Sequence, residues 1–173
     1  YVLKGYKEPY LYYQIVNAGD QSEETKEVSD NVLGGNKGIN VTVYNKVTDS
    51  TLIFSVSYTA TLLNGTVVDK TDDGAAYLQA FPNVILAWQL LLSKVGSGGH
   101  IRILTPSLYG YANSKQGTIP ANTPLYFDIT VNGYVNNSYV NKYIVIQSED
   151  GRYPIYRYLM WYGRFSLLNQ QDV

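Results

Sequence analysis

The stretch Val56–Thr71, "VSYTATLLNGTVVDKT", decides the fold. With the residues just before it, "LIFSVSYTATLL", it sets Leu52, Phe54, Val56, Tyr58, Ala60 and Leu62 at every second position. Ser55, Ser57, Thr59 and Thr61 fill most of the gaps. Side chains along a strand alternate between two faces, so this pattern is a strand with one buried face. Asn64-Gly65 supplies the positive-φ residues that a two-residue hairpin turn favours, and "TVVD" returns antiparallel. One residue in the return strand asks for a reason. The apolar pair Val67-Val68 is followed at once by Asp69, a carboxylate in a segment with little other charge.

Working outward, "PYLYYQIVNAG" (Pro9–Gly19) reads as a strand of β-formers ended by a glycine. Asp20–Gly38 is polar, charged and glycine-terminated, and is expected to be a loop or mobile insertion. "INVTVYNKV" (Ile39–Val47) suggests a short half-buried strand. Past the hairpin the period changes. Val84, Trp88, Leu91, Leu92 and Val95 fall at helical spacing, Pro82-Asn83 suit a helix start, and Gly96 or Gly98 suits its stop. "HIRILTP" and "PLYFDITVNGY" are strands again, the latter burying Leu125, Phe127, Ile129 and Val131. The tail reads as two more strands around Glu149-Asp150-Gly151. The expected architecture is α+β, an antiparallel sheet with one short helix against it.

Composition narrows the chemistry. A chain of 173 residues suits one domain with a sizeable core. Its 13 basic and 14 acidic residues give no electrostatic case for nucleic acid or an anionic membrane. The absence of cysteine excludes disulfides, thiol catalysis and thiolate metal sites, and the single His100 excludes a histidine cluster. Asp69, Asp72, Asp73 and Gly74 do not have the spacing of an EF-hand loop, so no metal is expected. The longest apolar run, "VILAWQLLL", is about half of the ~20 residues that span a bilayer. Because the chain opens on Tyr1, a processed or trimmed product is expected, with any signal peptide or lipid anchor lost upstream. Eighteen tyrosines, many Asn, Thr and Gly, and few lysines lean toward an exported bacterial protein, periplasmic or lipid-anchored at the envelope.

Four segments, in this order, carry a family resemblance: "YTATLLNGTVVD", "VILAW", "GGHIRILTPSLYGYA" and "IPANTPLYFDI". Together they resemble the FKBP-type peptidyl-prolyl cis-trans isomerases, over about Pro9 to Val131. The resemblance implies an FKBP-like antiparallel sheet wrapped around one short helix, with an extra C-terminal β-hairpin. It divides the chain into residues 9–134, an FKBP-like domain with an insertion at about 20–48, and residues 135–173, an extension packing on or extending the sheet. It also answers the question of Asp69. In this family that carboxylate faces an aromatic pocket, which here would be lined by Tyr58, Val68, Asp69, Val84, Ile85, Trp88, Tyr111, Ile119 and Phe127. Trp88 would form the floor under a prolyl ring. Tyr111 and the Ile85 backbone N–H would donate to carbonyls, and Asp69 would hydrogen-bond within the pocket, to Tyr58. Asp69, Tyr111 and Trp88 are thus the implied catalytic residues, with no cofactor.

The implied activity is peptidyl-prolyl cis-trans isomerisation of proline-containing polypeptides, with a macrolide such as FK506 as a possible ligand. The alternative is a non-catalytic FKBP-like peptide-binding or chaperone module. Departures from the family motif motivate it: Val68 in place of Phe, Ala60, Ala87 and Leu91 in place of Gly, and Ala112 where Gly follows the pocket tyrosine. Tyr77 and Phe81 are both candidates for a further aromatic wall. Taken without the family, Trp88, Val84 and Ile85 read as core residues of an amphipathic helix, and Asp69 as a solvated turn residue. "GRYPIYRYLMWYGRF" mixes arginines with aromatics and has several readings: an added hairpin packing on the sheet, stacking on nucleic acid or sugar, a membrane interface, or a surface for a protein partner.

Overall fold

A computed structural model describes residues 9–29, 40–48, 52–73 and 75–136, with the backbone of Tyr156–Leu159 and Arg164–Leu167. Two long strands form its centre. β4 (Leu52–Thr61) pairs antiparallel with β8 (Leu125–Asn136) from Leu52↔Asn136 to Thr61↔Tyr126. Beyond β8 lie β7 (His100–Thr105) and then β1 (Tyr12–Asn17) along its first half. β3 (Asn40–Tyr44) and β2 (Thr25–Ser29) lie beyond its second half. On the other side of β4 lie β6 (Tyr77–Ala80) and β5 (Val67–Lys70). Against one face packs α1 (Leu86–Leu91), which buries Ala87, Trp88 and Leu91. The antiparallel sheet with one short helix is the α+β arrangement expected from the strand periods and the one helical stretch of the sequence.

A bulge explains how β8 serves two cores. Ser55 pairs with Gly133 but Val56 pairs with Val131, so Asn132 is the extra residue. An extra residue in a period-two strand exchanges its faces. Before the bulge Leu125, Phe127, Ile129 and Val131 point into the main core; after it Tyr134 does, while Val135 joins a second cluster. That cluster, Val41, Val43, Ile53, Leu78 and Val135, covers the outer side of the sheet. The first half of β4 is consequently buried on both faces, where the sequence pattern implies one. Gly133 is required here: its φ is +148°, and a Cβ would lie 2.3 Å from Cγ1 of Val43.

Tyr134 ties the sheet to the helical segment. Its buried hydroxyl lies 2.7 Å from the Leu92 carbonyl and 2.6 Å from that of Val95. Desolvation pushes its ionisation well above the ordinary value of 10.0. The lone histidine is held at the sheet: His100 Nε2 lies 2.5 Å from Asp128, which also accepts from Arg102 at 3.0 Å.

The helix is shorter than its apolar spacing implies. Pro82-Asn83 belong to a separate 3-10 turn, Phe81–Asn83, and Val84 is extended with ψ 170°. Ile85 caps α1, and a second 3-10 turn, Leu92–Lys94, completes the run. The expected loop Asp20–Gly38 contains a strand, β2, antiparallel to β3. Its polar residues carry no alternation to read. Strand pairing and ion pairs hold β2 against β3 instead: Lys26–Asp20 at 3.5 Å and Lys46–Glu23 at 2.9 Å, together with a Thr42–Glu27 hydrogen bond. The expected turn at 149–151 lies outside the described residues. The tail does hold an antiparallel pair, β9 (Tyr156–Leu159) with β10 (Arg164–Leu167), placed further along the chain.

Candidate functional site

The main core opens into a cavity of about 450 Å³ at the end of the sheet covered by α1. Each wall comes from a different element, so only the folded chain assembles it. β4 supplies Tyr58 and Ala60, β5 supplies Asp69, and β8 supplies Leu125 and Phe127. β6 and the turn after it add Tyr77, Pro82 and Asn83; the segment that starts α1 adds Val84, Ile85 and Trp88. The loop between β7 and β8 closes the mouth with Tyr111, Gln116 and Ile119.

Trp88 is the hub. Three rings meet it nearly perpendicularly: Tyr58 at 5.0 Å, Phe127 at 5.4 Å and Tyr77 at 6.1 Å between centroids. Phe54 approaches from the core side at 5.8 Å. Edge-to-face packing is the arrangement that aromatic quadrupoles favour, and contacts from several directions leave the indole little freedom. It is 4% exposed, and its buried Nε1–H meets no partner among the described residues. α1 holds it from behind, through Trp88 N–H donating to the Ile85 carbonyl at 3.0 Å.

Asp69 has a partner in the wall. The Tyr58 hydroxyl donates to its Oδ2 at 2.7 Å, a short charge-assisted bond that fixes both side chains at the cavity edge. The hairpin register explains the meeting: Ala60 pairs with Asp69, and a bulge at Val68 lets Thr61 pair with Val67. That bulge also accounts for one residue the structure does not bring to the cavity. Val68 is half-buried against the main core and is absent from the cavity walls.

The other expected residues converge: Tyr58, Asp69, Val84, Ile85, Trp88, Tyr111, Ile119 and Phe127 all line the cavity. As the residue that caps α1, Ile85 has its backbone N–H outside the helix ladder, and among the described residues no backbone carbonyl accepts it. Of the two candidates for a further aromatic wall, Tyr77 takes that place; Phe81, partly buried, packs against the core, stacked on Tyr134 at 6.2 Å. Sequence reading misses Ala60, Pro82, Asn83, Gln116 and Leu125 as cavity walls. Asn83 is positioned by Gln79, a fully buried residue whose Oε1 accepts from Asn83 Nδ2 at 3.1 Å. A glutamine in a short strand gives no sign of that role.

The substituted glycines are accommodated in two ways. Ala60, Ala87 and Leu91 are buried within the main core cluster. Ala112, directly after the cavity tyrosine, is held at φ 49°, the left-handed region where a Cβ is strained. Hydrogen bonds on either side enforce it: Ala112 N–H to Ser107 and Asn122 N–H to Ala112, both 2.7 Å. Strain of this kind collects beside functional residues.

Comparisons with known proteins bear on the fold and the family. In sequence the chain is 37% identical to FKBP-type peptidyl-prolyl cis-trans isomerase FkpA of Buchnera aphidicola (Schizaphis graminum) over 76 residues, 43% of this chain and 30% of that protein. It is 35% identical over 74 residues to a peptidyl-prolyl cis-trans isomerase of Saccharomyces cerevisiae, 42% of this chain and 18% of that one. The chain thus matches a third or less of the length of these two relatives. In structure it resembles the crystal structure of FkpA from Escherichia coli, with a TM-score of 0.55 at 22% identity, over 73% of this chain and 48% of that one. The family model for FKBP-type peptidyl-prolyl cis-trans isomerase matches residues 44–132, from the end of β3 to the bulge in β8, and so takes in every wall of the cavity. The chain belongs to the FKBP-type peptidyl-prolyl cis-trans isomerase family.

Proposed function

We propose that this chain accelerates rotation about X-Pro bonds in polypeptide substrates by seating the prolyl segment over Trp88. One observation carries the reading: a cavity of about 450 Å³ with a buried indole floor and polar groups at its rim, in a chain of this family. Its volume lies within the ~300–1,000 Å³ of typical small-ligand sites.

The chemistry suits these residues. Rotating an amide costs ~18–20 kcal/mol because resonance must be broken. The twisted amide has less charge separation than the planar one, so a dry aromatic cavity favours it, and placed hydrogen bonds can hold it. X-Pro bonds suit such a site, since their isomers differ by only ~0.5–1 kcal/mol yet interconvert slowly. No step calls for a nucleophile or a redox group. In this reading Trp88 supports the ring, while Tyr111 and the Ile85 N–H donate to flanking carbonyls. Asp69 acts by fixing Tyr58. A macrolide such as FK506 would compete for the same cavity. An exported location accords with the composition, rich in Tyr, Asn, Thr and Gly and poor in Lys, and fractionation of the source cells tests it.

The deciding experiment is proline-limited refolding of a model substrate. The reading expects acceleration by the wild type, suppression by FK506, and loss of acceleration in an Asp69→Ala, Trp88→Ala double variant. A folded wild type that gives no acceleration, or a double variant as fast as the wild type, refutes it. Binding of proline peptides without acceleration would indicate the peptide-binding module.

A further inference from the structure

All six residues of β1, Tyr12–Asn17, are exposed although the strand belongs to the main sheet. Tyr12 is 59% and Val16 46% exposed, and Tyr10, 47% exposed, sits with its ring 6.1 Å from that of Tyr12. Among the described strands β1 hydrogen-bonds to β7 alone, on one side. Proteins guard free edges with charges, proline or twist. Among the other outer strands, β2 carries Lys26 and Glu27, and β5 carries Asp69 and Lys70. β1 has no charged residue, and its single bulge, at Val16, leaves Tyr12–Ile15 in regular register with Leu104–Ile101.

The tail presents the complementary problem. β9 and β10, four residues each, pair with one another and with no other described strand. A lone two-stranded hairpin is marginal in water. We propose that this hairpin of the same chain docks on the free edge of β1, adding to the sheet along Tyr12–Ile15.

Topology brings the two together. Asn17 pairs with His100 and His100 with Thr130, whereas Tyr12 lies in the row of Tyr126. β8 therefore runs parallel to β1, and its last residue, Asn136, lies beyond the Asn17 end. A chain that turns back from there reaches the outer side of β1 antiparallel to it. The lateral distance, three strand spacings, is about 14 Å. Residues 137–155 can extend about 60 Å, enough for the crossing and the return. Such a tether gives an effective concentration in the millimolar range, so the chain's own hairpin outcompetes a second copy in dilute solution.

Amide hydrogen exchange on the full chain tests this. Tyr158→Pro removes a ladder N–H from β9 and breaks the hairpin. The alternate, outward amides of Tyr12–Ile15 are expected to exchange at least ~10-fold faster in that variant than in the wild type. The amides of β8 should stay protected in both, which shows that the sheet remains folded. Truncation after Asn136 should reproduce the acceleration. Equal β1 exchange in wild type and variants overturns the proposal, as does wild-type protection that vanishes on dilution, which would assign the edge to a second copy.

Discussion

Tyr134→Phe removes one hydroxyl from the junction of the sheet and the helical segment, and the structure sets the size of the effect. The ring is fully buried, and its stack with Phe81 survives in the variant, so no side-chain-sized cavity opens. The hydroxyl lies 2.7 Å from the Leu92 carbonyl and 2.6 Å from that of Val95. The Leu92 carbonyl keeps the Val95 N–H at 3.1 Å, so the loss falls mainly on Val95. One buried carbonyl deprived of its donor costs about 1–2 kcal/mol, to be read as a shift in urea midpoint at pH 7. The same residue gives a pH signature. Burial raises the folded-state pKa above the ordinary 10.0, so the unfolded chain releases this proton first. Its contribution to stability is complete below pH 10 and declines as pH rises above it. At pH 11 the wild type should have lost about 1.4 kcal/mol from this group, while the phenylalanine variant loses nothing there. The other tyrosines are common to both proteins and cancel in the difference. The gap between them should therefore nearly close between pH 7 and pH 11. A pH 7 gap below about 0.5 kcal/mol, or one that does not narrow at pH 11, would refute the reasoning.

Two further predictions concern backbone. Ala112→Gly relieves a left-handed alanine worth about 1–2 kcal/mol and concedes about 0.4–1 kcal/mol of unfolded-chain entropy. A net gain of about 0.5–1 kcal/mol in urea unfolding is expected, and a loss of stability would show that the φ of 49° carries no strain. Gly133→Ala should cost at least about 2 kcal/mol, because it combines an unfavourable φ with a Cβ driven into Val43. A cost under about 1 kcal/mol would mean that β3 can move away from the bulge.

Much of the site is legible in the chain because it sits on strands of regular period. The alternation of β4 places Tyr58, the Asn-Gly turn fixes the return of β5, and the ordered motifs name Trp88, Tyr111 and Phe127. Composition alone removes thiol, histidine-cluster and thiolate-metal chemistry. The remainder depends on contacts between residues far apart in sequence. β2 is polar and exposed, so nothing local marks it as a strand; pairing with β3 makes it one. A bulge rotates Val68 out of the cavity, and register shifts follow from the match between two strands rather than from either alone. Tyr77 and Phe81 are equivalent in the sequence, yet one lines the cavity and the other the core, because β6 ends and the chain turns at Pro82 between them and α1. The sequence by itself determined the strand periods, the turn and the set of aromatic residues available for a cavity. The tertiary structure alone decided which of them face it, because a side chain's direction depends on strand register and bulges, set only when partner strands meet.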